Sequence, residues 1–416
     1  MAKLVIGNDK TVGVPVITKE VQVAPNYWIS RKVVNGVYQT GDQTEFSFNG
    51  ATSINNNALN NAFTNGSIQR ILGLDGIKEV GLGGLDSAFQ NCSSLSGSLD
   101  FSNIETVYGN AFVNCFYGTH LSGNVNFAKL NGLANGAFQY AFFTTDITSF
   151  SCPVVNNVLN NTFNSCCWGC RYLTSFDFSN LNYIYSTGLQ SMFYGCTSLT
   201  TASFPKLTTI ENIGMYSCFA GCSSLTTVSM PNLTTFSGTT STANTMNGCF
   251  DGCSSLTSVY MPRLKIMRCG TVFASCFKDC TSLTSLSFPS LTTDSFGTRN
   301  TQFNTMLDGV TGCTVHFPSN IQSVIGSWAS VTSGFGGTNT TVLFDLPATV
   351  TLTGANSVDY QRNPNYDTGT ALAWYNGTDG YEVPFYTSGT SDPTTGATIY
   401  SDSACTTAVT TISSIA

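Results

Sequence analysis

CFDGCSSLTSVYMPRL, from Cys249 to Leu264, returns as CFKDCTSLTSLSFPSL, from Cys276 to Leu291. This recurrence restricts the fold more than any other feature. A unit of this size cannot bury its apolar face alone, so copies must stack. Further copies are AFQNC at Ala88, AFVNC at Ala111, CCWGC at Cys166, MFYGC at Met192 and CFAGC at Cys218. Degenerate ones are AFTNG at Ala62, AFQYA at Ala137 and GVTGC at Gly309. They make about ten coils, at spacings of roughly 23 to 33 residues.

Each coil has two halves. After the cysteine, Leu283, Leu286 and Phe288 fit Leu-x-x-Leu-x-Leu, and Leu291 follows a proline. Leu256, Val259, Met261 and Leu264 repeat this, and alternation through Val259-Tyr260-Met261 predicts a short strand with one buried face. Before the cysteine, GLQSMFYG and GTVFASCFKD carry apolar groups three and four apart, which predicts a short helix. Gly195, Gly221, Gly252, Asn91, Asn114 and Asp279 stand where that helix must stop, and such residues tolerate a left-handed cap.

The aligned cysteines are Cys92, Cys115, Cys170, Cys196, Cys222, Cys253, Cys280 and Cys313. A zinc site needs four unchanging thiolates. Here Ala88 and Ala111 replace the first cysteine of the pair, and Gly66 and Ala141 replace the second. A place that accepts Cys, Ala or Gly is chosen for small size and burial. The thiols therefore read as a structural ladder, with metal binding and redox chemistry as alternatives. Parallel inward side chains predict free thiols, and no metal or cofactor is expected.

These motifs resemble leucine-rich repeats of the BspA type, with the signature F-x-x-C-x-x-L-x-x-[LIV]-x-[FILM]-P, from about residue 60 to about residue 322. The expected fold is an α/β solenoid, with a short helix and a parallel strand in each coil. It spans residues 51–345, between a β segment at 1–50 and a small all-β module at 346–416. In such repeats the cysteine position faces inward at the turn.

The outward strand positions run Ser98 and Asp100, Asn124 and Asn126, Ser149 and Ser151, Ser175 and Asp177, Thr201 and Ser203. Thr227 and Ser229, Ser258 and Tyr260, and Ser285 and Ser287 follow. This small polar stripe is either a solvated sheet face or a hydroxyl-rich surface for glycan or protein. Tyr260 and His316 are its large side chains, whereas tight protein interfaces are anchored by Trp, Tyr or Arg.

At the start, KLVIG, VGVPVITKEVQV, YWISRKVV and TEFSFNG read as short strands, with Lys3, Lys10, Lys19, Arg31 and Lys32 among them. They form either a docking module or a cap over the first coil. At the other end VHFP reads as the last strand and IQSVIGSW as a capping helix. Beyond lie Tyr360, Tyr366, Trp374, Tyr375, Tyr381, Phe385, Tyr386 and Tyr400. Trp374 and Tyr375 precede the hairpin-like NGTDGY and are candidates for stacking on sugar, against a role as module core.

Charged residues are 9% of the chain and the net charge is −7. The cations are scattered, with Arg263, Lys265 and Arg268 the densest group, so no footprint for nucleic acid is expected. No run approaches the roughly 20 apolar residues of a membrane span. MAKLVIGNDKTVGVPV has no signal-like run, so synthesis in a cytoplasm is expected. There is no Walker loop, G-x-S-x-G or H-E-x-x-H, and His120 and His316 read as surface residues. Asp402 reads as a turn residue rather than a cation ligand.

A non-enzymatic structural and interaction protein is therefore expected. Low-charge chains rich in Ser, Thr, Asn and Gly, with an N-terminal docking segment, resemble appendage or fibre proteins of tailed bacteriophages of gut bacteria. That resemblance implies a virion location, attachment to other virion proteins through residues 1–50, a host-surface glycan or protein as ligand, and a homotrimer. The alternative is a BspA-like bacterial surface adhesin.

Overall fold

The computed structural model describes residues 4–8, 15–24, 27–34, 37–39, 45–48, 50–238, 244–267, 269–296, 301–328, 335–346, 351–354, 359–362, 371–376, 385–389, 393–401 and 404–415. They form a parallel-strand solenoid of about 11 turns, with other strands at both ends. Two compact units divide it. One holds residues 1–178, 184–200 and 214–223, and the other holds 179–183, 201–213 and 224–416.

In the first unit each coil contributes to two parallel sheets. One pairs Ser96–Gly97, His120–Asn126, Asp146–Ser151 and Ser175–Asp177. The other pairs Ser53–Ile54, Glu79–Val80, Thr106–Val107 and Gly132–Leu133. The second unit repeats the scheme. Thr201–Ser203, Thr227–Ser229 and Ser258–Tyr260 form one ladder, and Thr209–Glu211, Thr235–Ser237 and Ile266–Met267 form another. The second strand of each coil lies where the sequence predicts a loop. Its signal is the apolar pair three apart, as in Leu207 and Ile210 or Leu233 and Phe236.

The predicted helix is absent. The segment before each cysteine is a wall of consecutive β-turns with a four-residue period. Asn57, Asn61 and Asn65 have φ near 52 to 56°, and Gly83, Ser87 and Asn91 repeat the pattern at 52 to 59°. Alternate N–H groups close turns, as from Ala62 to the Leu59 carbonyl and from Gly66 to that of Phe63. The others donate to the next coil: Leu59 to Gly84, Asn61 to Asp86 and Phe63 to Ala88, at 2.8–2.9 Å. An α-helix is about 10 Å across, whereas sheet strands repeat every ~4.8 Å. Coils held at sheet spacing on two faces leave no room for a helix on the third. Both structures bury residues three and four apart, so the apolar spacing cannot separate them. Leu85, Ala88, Phe89 and Cys92 are all fully buried. What separates them is Asn, Ser or Gly at every fourth place. These residues tolerate the left-handed region and weaken a helix.

At Gly309 glycine is favoured on two counts. Its φ is +77°, and a β-carbon there would collide with the Asp279 carboxylate one coil earlier.

The ends differ from the expected boundaries. Leu4–Asn8, Pro15–Ala24, Tyr27–Val34 and Val37–Gln39 form an antiparallel sheet. Glu45–Ser47, from TEFSFNG, instead pairs parallel with Arg70–Leu72, so the parallel ladder begins before residue 50. VHFP is not the last parallel strand. It lies in Thr314–Pro318, on which Thr341–Leu346 adds in parallel. A single helical turn at Gln322–Ile325 falls within IQSVIGSW. Thr351–Gly354, Asp359–Arg362, Ala371–Asn376, Phe385–Ser388, Thr398–Tyr400 and Ala408–Ile415 close into a barrel. Lys3, Lys10, Arg268, Tyr366, Tyr381 and Asp402 lie outside the described residues.

Candidate functional site

Strand register sets the polar stripe. In the first unit Asn124 is opposite Ser149 and then Ser175, and Asn126 is opposite Ser151 and then Asp177. In the second, Thr201, Thr227 and Ser258 share one row, and Ser203, Ser229 and Tyr260 the next. Ser285 faces Thr314, and Ser287 faces His316. Side chains alternate along a strand, so one inward residue between two outward ones suffices to hold each row.

Exposure divides the expected stripe. Ser175, Asp177, Thr201, Thr227 and Ser285 are exposed, and Ser203, Ser229 and Ser258 are half-buried. Tyr260 and Ser287 are corrections, at 5% and 6% exposure. Both precede apolar residues that are themselves buried, Met261 and Phe288. That stretch of the sheet is covered, and the alternation rule does not see cover from outside a strand. Tyr260 is therefore no exposed anchor, and the accessible stripe carries only small groups there.

An opening on this face lies in the first unit. A groove of about 520 Å³ is lined by Ser98, Leu99, Asp100, Gly123 and Asn124. The ladder shifts register between Gly123 and Asn124, and the extra residue, Thr148, donates its hydroxyl to Asn124 Oδ1 at 3.1 Å. Such bulges re-aim side chains. The Ser102 side chain and backbone N–H hydrogen-bond Asp100 and hold its carboxyl below the usual range, so it stays anionic.

Each histidine sits on a strand of a parallel sheet, His120 in the first unit and His316 in a separate sheet of the second, and meets a carboxylate one coil on. His120 Nδ1 is 2.8 Å from Asp146 Oδ2, and His316 Nδ1 is 2.9 Å from Asp345 Oδ1. His120 thus lies on a strand, not in the turn that GTHLSG suggested.

The thiols form a bonded ladder. Cys92 Sγ–H donates to the Phe63 carbonyl at 2.9 Å, Cys170 to Phe142 at 3.0 Å, Cys196 to Cys167 at 3.2 Å, and Cys222 to Phe193 at 3.1 Å. In the second unit Cys280 does the same to Phe250 at 3.1 Å, and Cys253 is buried. Each cysteine thus joins small volume to a donor for the coil before it, which alanine lacks. The pairing register moves two members out. Phe89 N–H bonds Cys115 O and Asn91 N–H bonds Tyr117 O, so Thr119 rather than Cys115 answers Cys92. Cys115 instead shares the column of Ala88, and its coil resumes the pattern four residues later. Cys313 lies just before the strand Thr314–Pro318. None of the sixteen cysteines is in a disulfide. Burial pushes the Cys222, Cys280 and Cys313 thiols up to about 12. Among the described residues no three His, Cys, Asp or Glu side chains are placed to hold a metal ion.

Trp374 is a further correction. It is fully buried in the barrel core with Tyr360, Ile399 and Ile412, and its indole N–H donates to Thr387 Oγ1 at 2.8 Å. A buried, satisfied indole has no face left for sugar. Tyr375 follows it on the strand Ala371–Asn376, and its side chain lies outside the described residues.

Sequence reasoning missed an outward aromatic column on the turn wall. Tyr117 stacks on Phe143 at 4.6 Å and 9°, Phe143 on Trp168 at 5.7 Å and 19°, and Trp168 on Tyr194 at 3.9 Å and 14°. Its signal was an aromatic residue directly before Gly118, Thr144, Gly169 and Gly195.

Residues 137–247 and 189–324 match the BspA type Leucine rich repeat region, in 6 copies. No curated protein matches the chain. Among solved structures it is similar to a leucine-rich repeat protein from Bacteroides ovatus, at 16% identity over 82% of this chain and 98% of that one, with a TM-score of 0.35. The match to leucine-rich repeats of the BspA type thus covers the coils from residue 137 to residue 324.

Proposed function

We propose that this chain is a non-enzymatic structural and interaction protein of a bacteriophage particle, displaying its polar stripe to a host-surface glycan or protein. The observation that carries the interaction role is the stripe itself. Rows of exposed Ser, Thr, Asn and Asp stand in register on a parallel ladder. Small side chains on a stiff sheet lose little entropy on contact and repeat along the ladder, which suits weak multivalent recognition. The repeat family is typically non-enzymatic.

Composition supports the virion placement. A surface with 9% charged residues, rich in Ser, Thr, Asn and Gly, resembles phage appendage proteins. In this reading residues 1–50 attach the chain to other virion proteins, and three copies assemble.

Density-gradient separation of the native source, followed by antibody detection of the chain, tests this. Banding with DNA-containing particles is the expected result. Fractionation with cell envelopes rejects the virion placement in favour of a bacterial surface adhesin.

A further inference from the structure

The second sheet carries a groove of its own. It lies in the first unit, has a volume of about 630 Å³, and opens between the strand Ser53–Ile54 and Tyr108. Its apolar side is made by Leu82 and Tyr108, which are 49% and 46% exposed. Its polar side is made by Ser53, Asn55, Asn56 and Glu79. No lysine or arginine lines it among the described residues.

The wall is held rigidly. Ser53 pairs with Glu79, and Glu79 with Thr106, along the parallel ladder. Tyr108 N–H donates to Val80 O at 3.0 Å. Asn56 Oδ1 accepts the Leu82 N–H at 2.8 Å, which fixes the amide and leaves its NH₂ group to donate elsewhere.

The geometry points to a binding site for a neutral, hexose-based glycan. A pyranose ring has an apolar C–H face and a rim of hydroxyls. An exposed tyrosine beside a leucine meets the first, and a carboxylate, two amides and a hydroxyl meet the second. The carboxylate of Glu79, with no cation in the lining, disfavours phosphate or acidic sugars. The groove is on the second sheet and the polar stripe on the first, so this site does not depend on the stripe or on a virion location.

Saturation-transfer NMR on the full chain, with glucose, galactose, mannose and N-acetylglucosamine, tests the assignment. At least one sugar should receive saturation at its ring C–H protons. Tyr108→Ala should abolish the transfer and Tyr108→Phe should retain it. Glu79→Gln should weaken binding at least fivefold, and Asp75→Asn, at an exposed carboxylate outside both the groove and the stripe, should leave it unchanged. Thermal melts of each variant check folding. Transfer from none of the four sugars overturns the site, as does unchanged transfer in Tyr108→Ala. Should Tyr108→Ala fail to fold, equal affinity in Glu79→Gln and the parent overturns it instead. Loss of transfer in Asp177→Asn would assign the sugar to the stripe and reject the groove.

Discussion

The residue just before the last left-handed position of the turn wall differs between the two units. In the first it is Tyr117, Phe143, Trp168 and Tyr194 in four consecutive coils, stacked ring on ring, with Thr64, Gln90 and Ala220 in the coils to either side. In the second it is Asp251, Lys278 and Asp308. There Lys278 Nζ lies 3.7 Å from Asp251 and 3.5 Å from Asp279. Coils at sheet spacing force like positions into contact, so a column must be filled by groups that tolerate their own neighbours. Rings do so by stacking, and charges only by alternating. The alternation is imperfect. Burial raises the Asp251 carboxyl pKa, Lys278 opposes this, and Asp279 and Asp308 add to it. A stacked aromatic pair contributes about 0.5–1.5 kcal/mol, an exposed ion pair about 0–1. The first unit's column should therefore be the stronger and the less sensitive to salt.

Alkali should break what both units share, the buried thiols. The fold holds Cys222 and Cys280 protonated up to about 12. Unfolding returns them to about 8.5. Stability is then full below about pH 8.5 and falls by about 1.4 kcal/mol per thiol per pH unit as pH rises toward 12. Urea midpoints at pH 8, 9, 10 and 11 should drop progressively, and less steeply in Cys222→Ala. A flat profile would show that the thiols ionise in place.

Phe116→Ala tests the inward column, where Phe116 stacks on Phe89 at 5.8 Å and on Phe142 at 5.4 Å. It is 1% exposed, and its loss should cost about 3–5 kcal/mol by chemical denaturation. Trp168→Ala removes two outward stacking contacts and should cost about 1–3 kcal/mol. A loss below about 0.5 kcal/mol would mean the outward rings are decoration. Lys278→Ala should cost less than about 1 kcal/mol, and the difference should vanish in about 1 M salt, where screening extends only ~3 Å. A cost equal to that of Trp168→Ala would erase the contrast between the units.

The repeat, the inward apolar rows and the solenoid were legible because each is a periodicity in the chain, copied many times. The tertiary structure decided the rest. Leu85, Ala88 and Phe89 suit a helix and a turn wall equally, and only the stacking distance imposed by two sheets excluded the helix. Cys115 sits four residues out of the ladder because hydrogen-bond register, not motif similarity, sets which residues face each other. Tyr260 and Ser287 alternate as surface residues should, yet are buried, and Trp374 is buried among Tyr360, Ile399 and Ile412 from other strands of the barrel. The groove beside Tyr108 unites residues from separate coils, Ser53 to Asn56, Glu79 to Leu82, and Tyr108. Local sequence determined which face of each strand is apolar. Long-range packing determined which of the remaining positions reach water, since exposure belongs to the assembled chain and not to any segment of it.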